Sequence, residues 1–332
     1  MNLFSFGRRL PAPSTQFARG TGSRGFLLAL LLALGGAPSQ VWACACGCGV
    51  FEVGTSAMFP AGSGDMAYLE FDYQDQNHNW SDTSGAPATG NPDKEIWTGF
   101  TTLGLQTMVN RSWGFQAEVP YITRFFQTTG GATGEDIVSM KWSGIGDIRL
   151  EGIYTGFSDD LSAGLTFGLK LPTGSYTHND AYGDVDRDSE FGTGSTDLLL
   201  GAYDRGKFGG NSDWTWYVQG GLDVPVLTQV QYQPGAELDT AFGVYPAGWS
   251  VGPGKLTPIF QLKASERTRD QGANAADPVA SGFQRVLVVP GLEYNAHPLM
   301  VYADVERPVY QHVTGNQLTA SLLYKVSVSY HF

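Results

Sequence analysis

The sequence predicts an all-β fold: a transmembrane, antiparallel up-and-down β-barrel of about 12 strands behind an N-terminal signal peptide. Three observations carry this. Hydrophobicity alternates with period two along most of the chain, the mark of strands with two unlike faces. Charge is low at 16% and aromatics are high at 13%, with 44 glycines in 332 residues, whereas soluble domains carry nearer a quarter charged residues. Past residue 45 no run approaches the ~18 uninterrupted apolar residues of a membrane helix. Strands that show lipid one side chain and water the next account for all three.

Residues 1–45 read as the signal peptide. Arg8, Arg9, Arg19 and Arg24 form a basic leader, Phe26 to Leu34 a short apolar core, and Gly35 to Gln40 a break before a small-residue cleavage site after Ala43 or Ala45. The core is too short for an anchor helix. Bulky Trp42 argues against lipidation of Cys44. Removing these four positive charges takes the net charge from −12 to −16, a balance unsuited to nucleic acid.

Residues 46–64 form a Cys/Gly-rich segment, expected as a plug or periplasmic tail, and 65–332 form the barrel. Cys44, Cys46 and Cys48 are the only cysteines. Alternate thiolates suit Cu(I) or Zn. A disulfide is the competing fate in the oxidising periplasm, although bridging residues two apart is strained and three cysteines leave one over.

Strands are expected at 65–74, 96–109, 113–126, 144–157, 161–173, 194–205, 213–226, 236–246, 257–266, 283–294, 298–308 and 319–332, each long enough for a tilted crossing. The last is the clearest. Leu322, Tyr324, Val326, Val328, Tyr330 and Phe332 share one face, and Leu323, Lys325, Ser327, Ser329 and His331 the other. Lys325, Tyr330 and the terminal Phe332 resemble the pattern that the outer-membrane assembly machinery reads, with Ser327 where that pattern usually has Gly.

The links alternate in length, as short periplasmic turns and long outer loops do. Short ones (Asn110 to Ser112, Ser158 to Asp160, Gly206 to Ser212, Ala247 to Leu256, Asn295 to His297) follow even-numbered strands. Long ones (Asp75 to Glu95, Gln127 to Ser143, Gly174 to Thr193, Arg267 to Gly282) follow odd-numbered strands, and the two further outer loops, after the seventh and eleventh strands, are shorter. Pro120, Pro225 and Pro290 fall inside strands, where a missing donor marks a bulge or a break.

Three runs carry a resemblance: GIGDIRLEGIY (Gly144 to Tyr154), LTFGLKLPTGSY (Leu165 to Tyr176) and FGTGSTDLLLGA (Phe191 to Ala202). Over about a fifth of the chain, they resemble the family described as "MetA-pathway of phenol degradation". The resemblance implies an outer-membrane barrel that transports small molecules, aromatic compounds among them. The runs name no substrate, and the Cys-rich start is not part of that pattern.

Alternation sends the charged strand residues inward, because Arg or Lys facing lipid at mid-depth costs roughly 2–4 kcal/mol. The expected lumen acids are Glu70, Asp72, Glu118, Asp147, Glu151, Asp197, Asp223, Asp239, Glu293, Asp304 and Glu306. The bases are Arg124, Arg149, Lys170, Lys263, Arg285 and Lys325. They either pair and fill a narrow lumen or line an acid-rich aqueous passage. Asp184, Asp186, Asp188 and Glu190 in the third outer loop alternate like Ca ligands, without the turn glycine of an EF-hand. A solvated acidic loop is the plainer reading.

The five histidines sit in loops or at barrel ends, with no Ser–His pair placed for hydrolysis, so no enzyme is expected. The leading expectation is a porin-like outer-membrane channel, in lipid and lipopolysaccharide, passing a small aromatic or cationic solute. A non-transporting surface barrel with a metal- or partner-binding tail comes second. An outer-membrane lipid hydrolase comes third.

Overall fold

The computed structural model describes residues 43–44, 64–130, 136–180, 183–184, 187–209, 212–275 and 279–332. Residues 1–42, expected to hold most of a signal peptide, lie outside them, as do Cys46 and Cys48. Ala43–Cys44 pairs through its backbone with Gly282 and Ser281.

The main strands are β1 (Asp65–Asp82), β2 (Asp93–Met108), β3 (Trp113–Gly130), β4 (Asp136–Ile145), β5 (Ile148–Tyr154), β6 (Ala163–Leu171), β7 (Thr196–Lys207), β8 (Thr215–Leu227), β9 (Glu237–Tyr245), β10 (Gly254–Arg267), β11 (Ser281–Ala296) and β12 (Leu299–His331). All except β4 form an antiparallel ring, each paired with the next and β12 with β1. β12 doubles back. Its first arm pairs with β11 and its second with β1, Gly315 takes φ +69° at the reversal, and His331 N–H donates to Pro298 O at 2.9 Å. Counting both arms, the wall has the twelve expected crossings.

The crossings alternate as an oil–water boundary demands. On β1, Leu69 and Phe71 are exposed while Glu70 and Asp72 are buried. On the last arm, Tyr324, Val326, Val328 and Tyr330 are exposed while Lys325, Ser327 and Ser329 are buried. Aromatics gather toward both rims, as in outer-membrane barrels. Trp113 and Tyr154 lie 4.7 Å apart at the short-turn end, and Tyr73, Trp97 and Phe125 form a row toward the other, with Lys141 over Trp97.

The wall departs from the expected strands in three ways. β1 continues to Asp82, and β3 and β4 take up most of the expected second outer link. Backbone pairing extends past the point where alternation fades, because polar strands outside the hydrocarbon still form ladders. The expected strand 144–157 is split: β3 pairs with β5 through Trp113 to Glu118 and with β4 through Tyr121 to Gly130. The changeover falls at Pro120, whose carbonyl accepts Gly146 N–H at 2.8 Å. Pro225 sits at a register shift opposite Thr196/Asp197, and Pro290 where the β11–β12 pairing skips. Each missing donor lies where the ladder is already interrupted.

The short-turn half of the lumen is packed with tyrosines. Tyr203, Tyr217, Tyr302 and Ile259 form one buried cluster, with Tyr245 against it. Tyr68, Tyr203 and Tyr217 each lie across a glycine on the neighbouring strand, Gly104, Gly164 and Gly243. A Cβ on any of these glycines would strike the ring. Glycine therefore lets the ring lie flat on the wall and shield the backbone. Gly243→Val is expected to lower stability by about 1–3 kcal/mol through overpacking. Urea unfolding of the refolded barrel, followed by its heat-modifiable gel mobility, would read this, and adding Tyr217→Ala should recover part of the loss.

Candidate functional site

All seventeen charged side chains expected inside are buried or half-buried. Two networks gather most of them. At the β12–β1 seam, Lys325 Nζ lies 2.6 Å from Glu70 Oε1 and 3.2 Å from Asp72 Oδ1. Lys263 lies 2.6 Å from Glu306 and 4.0 Å from Asp304. Asp304 also accepts from Tyr302, whose hydroxyl is tied through Gln261 to Tyr217. On the other side, Lys170 bridges Asp197 (2.5 Å) and Asp223 (2.7 Å), and Arg149 joins Asp223 to Glu118. Tyr68 donates to Glu118. Arg124 donates to Thr98 and to the Glu190 carbonyl, both at 3.1 Å. Glu151, Asp239, Arg285 and Glu293 are half-buried around these networks.

Asp147 has a different job from the other acids. Its carboxylate accepts Gly174 N–H (3.0 Å), Thr193 N–H (2.8 Å) and the Thr193 hydroxyl (2.9 Å). The Thr173 hydroxyl donates to Gly146 O, and Ile148 N–H donates to Thr173 Oγ1, each at 2.9 Å. Gly174 and Gly192 approach so closely that a Cβ on either would strike the other's backbone. The three runs behind the phenol-degradation resemblance therefore meet in one knot, which turns the β6–β7 link into the barrel. Phe191 enters a buried cluster with Ile96, Ile122, Phe126, Trp142 and Leu318.

Beneath this in-turned link lies a chamber of about 180 Å³. Its wall carries Glu70, Asp72, Glu118, Asp147, Asp223, Glu237 and Asp239 with Arg124, Arg149, Lys170 and Arg267. Its roof carries Arg187, Glu190, Phe191, Tyr232 and Pro234. The lining holds eight carboxylates and five cations, an acid surplus of three. Arg187 clasps the roof, lying 4.7 Å from the ring centres of both Tyr176 and Tyr232 and donating to Thr193 O at 2.8 Å. Tyr176 reaches Gln229, and Asp270 gathers Tyr232, Gly235 N–H and Arg267 at 2.8–2.9 Å. Three outer links are thereby tied together.

Glu237 and Arg267 were legible but missed. Glu237 shares parity with Asp239, and Arg267 lies one residue past the expected end of its strand. Arg187, Tyr232 and Asp270 sit in loops, where no periodicity marks them. Of the proposed calcium ligands, Asp186 lies outside the described residues, and Asp184 and Asp188 are described through their backbone alone. Glu190 is buried, accepting His178 N–H at 2.5 Å. Lys325 occupies the seam, while Tyr330 and Phe332 face outward at its end, where Asp65 and Phe332 exchange backbone hydrogen bonds.

No protein-family model and no curated protein matches the chain, so the phenol-degradation resemblance rests on the three runs alone. Solved structures do match. An outer-membrane channel from Pseudomonas putida F1 aligns with a TM-score of 0.60 at 12% identity, over 82% of this chain and 96% of that one. The β domain of the Bordetella autotransporter BrkA gives 0.48 at 12% identity, over 81% and 100%. A Pseudomonas aeruginosa FadL homologue gives 0.43 at 11%, over 87% and 97%. Of these three, the first shares the overall fold. Its likeness, the closed ring and the apolar outer face make this chain an outer-membrane β-barrel.

Two outcomes follow. Lys325→Met strands Glu70 and Asp72 without their ammonium, and breaking such a buried pair costs about 3–5 kcal/mol. Urea unfolding should show that loss, with Glu70→Gln/Asp72→Asn in the same chain relieving it. Arg187→Ala should loosen the roof. With the native cysteines replaced, a cysteine at Thr102 in the chamber should react with an impermeant thiol reagent added outside roughly tenfold faster, given two lost cation–π contacts.

Proposed function

We propose that the protein is a cation-preferring outer-membrane channel that takes a small cationic solute from outside into the roofed chamber and on through the lumen. The observation that carries this reading is the chamber's acid surplus beneath a clasped roof. Water-filled passages lined with carboxylates attract cations and repel anions, and paired bases keep the attraction moderate. The P. putida channel supports the barrel fold of this reading and is silent on the solute.

The tyrosine-packed short-turn half favours the second reading, a surface barrel that does not conduct. In that case the cysteine-bearing N-terminal segment would be the working part, taking a soft ion such as Cu(I) or Zn.

Single-channel recording in planar bilayers separates the two. In a salt gradient, the reversal potential should show cations permeating more readily than anions. Glu237→Gln/Asp239→Asn should move that ratio toward unity. A folded barrel that passes no current, or one that prefers anions, overturns the channel proposal.

A further inference from the structure

We infer that the chamber's ligand is a small organic cation, a protonated amine on an apolar body about one aromatic ring in size. This deepens the channel proposal and rests on it.

Strand register sets the two halves of such a ligand side by side. Asp72 on β1 faces Phe100 on β2, and Phe100 faces Ile122 on β3. Carboxylate and apolar wall are thus successive cross-strand neighbours on one inner surface. Phe191 from the in-turned link extends the apolar part, packing in the cluster that holds Ile122, with Phe100 against it. It fits because Gly144 offers no side chain there.

The acid side is under-neutralised. Glu70 and Asp72 share the ammonium of Lys325, as Glu306 and Asp304 share that of Lys263. Glu70 is 7% exposed, yet its Oε2 is buried without a hydrogen-bond donor among the described residues. Buried acceptors left unmade are costly, and an ammonium supplies both donors and charge.

Other ligand classes use only part of the site. An inorganic cation leaves the apolar wall idle. A neutral hydrocarbon desolvates the carboxylates without compensation. An anion meets the acid surplus. The size also fits, since an apolar cavity of roughly 150 Å³ holds benzene and this one measures about 180 Å³.

The test is calorimetric binding to the refolded full-length barrel in detergent, with benzylamine, benzyl alcohol, benzoate and methylamine as probes. Benzylamine should bind at least roughly tenfold more tightly than the other three, the span of one charge-assisted hydrogen bond. Glu70→Gln should weaken benzylamine about tenfold and leave benzyl alcohol unchanged. Phe100→Ala should weaken benzylamine and leave methylamine unchanged, which keeps the test open if the Glu70 variant misfolds. Benzyl alcohol or methylamine binding as tightly as benzylamine, or no saturable binding of benzylamine, overturns the inference. Binding needs no passage across the membrane. A barrel that binds benzylamine and carries no current refutes the channel alone, and a conducting barrel without the amine preference refutes this inference alone.

Discussion

Everything in this molecule depends on closing the seam between its last strand and its first. In hydrocarbon no water satisfies an open edge, and each orphaned backbone group costs several kcal/mol. The second arm of β12 must therefore find β1. The register at which it does so sets Lys325 opposite Asp72 and beside Glu70. Lys325 is also the polar residue of the terminal pattern. The residue that marks the last strand is thus the cation that neutralises the first. A slip of the last arm by one residue would turn the lysine toward lipid and leave both acids in the lumen without it.

Given the seam, every other inward position follows by parity, and this is why so much of the fold was legible. Leu69–Glu70–Phe71–Asp72 already states which side is wet. The alternation read in the sequence recovers the twelve crossings, and the charged residues it sends inward are buried or half-buried. It falters where information is not periodic. It could not show that Asp147 closes on Thr193, because that contact spans 46 residues and depends on how far the β6–β7 link turns inward. Three expected strand ends, at Gly144, Thr173 and Gly194, fall at one joint, where Asp147 and Gly146 meet Thr173, Gly174 and Thr193. Arg187 had no signal at all. Its role comes from two rings on different links, and nothing local in the sequence brings them together.

Glycine decides what fills each half of the lumen. In the short-turn half, Gly104, Gly164 and Gly243 sit across from tyrosines, and the rings lie where side chains would otherwise stand. In the outer half, Gly144 and Gly146 clear room for Phe191 and its backbone, so a loop enters instead. The same residue type lines one end of the bore with flat rings and opens the other to an inserted link. The result is an asymmetric interior, with hydrogen-bonded phenols at one end and a charged chamber at the other.

The balance of charge in the chamber bears directly on the channel proposal. A site that conducts must hold its solute firmly enough to admit it and loosely enough to release it. Bare carboxylates in a narrow, partly dry bore would trap a cation. Here the neutralising cations are themselves anchored: Lys170 between two acids, Lys325 between two more, and Arg149 across the gap. What remains is a small surplus spread over several groups, with an apolar surface alongside. A surplus of that size can select by charge without binding so tightly that release fails, and the apolar surface adds affinity that does not deepen the electrostatic trap. For the proposed channel to pass its solute, the tyrosine-packed half would then have to part far enough to let the solute leave.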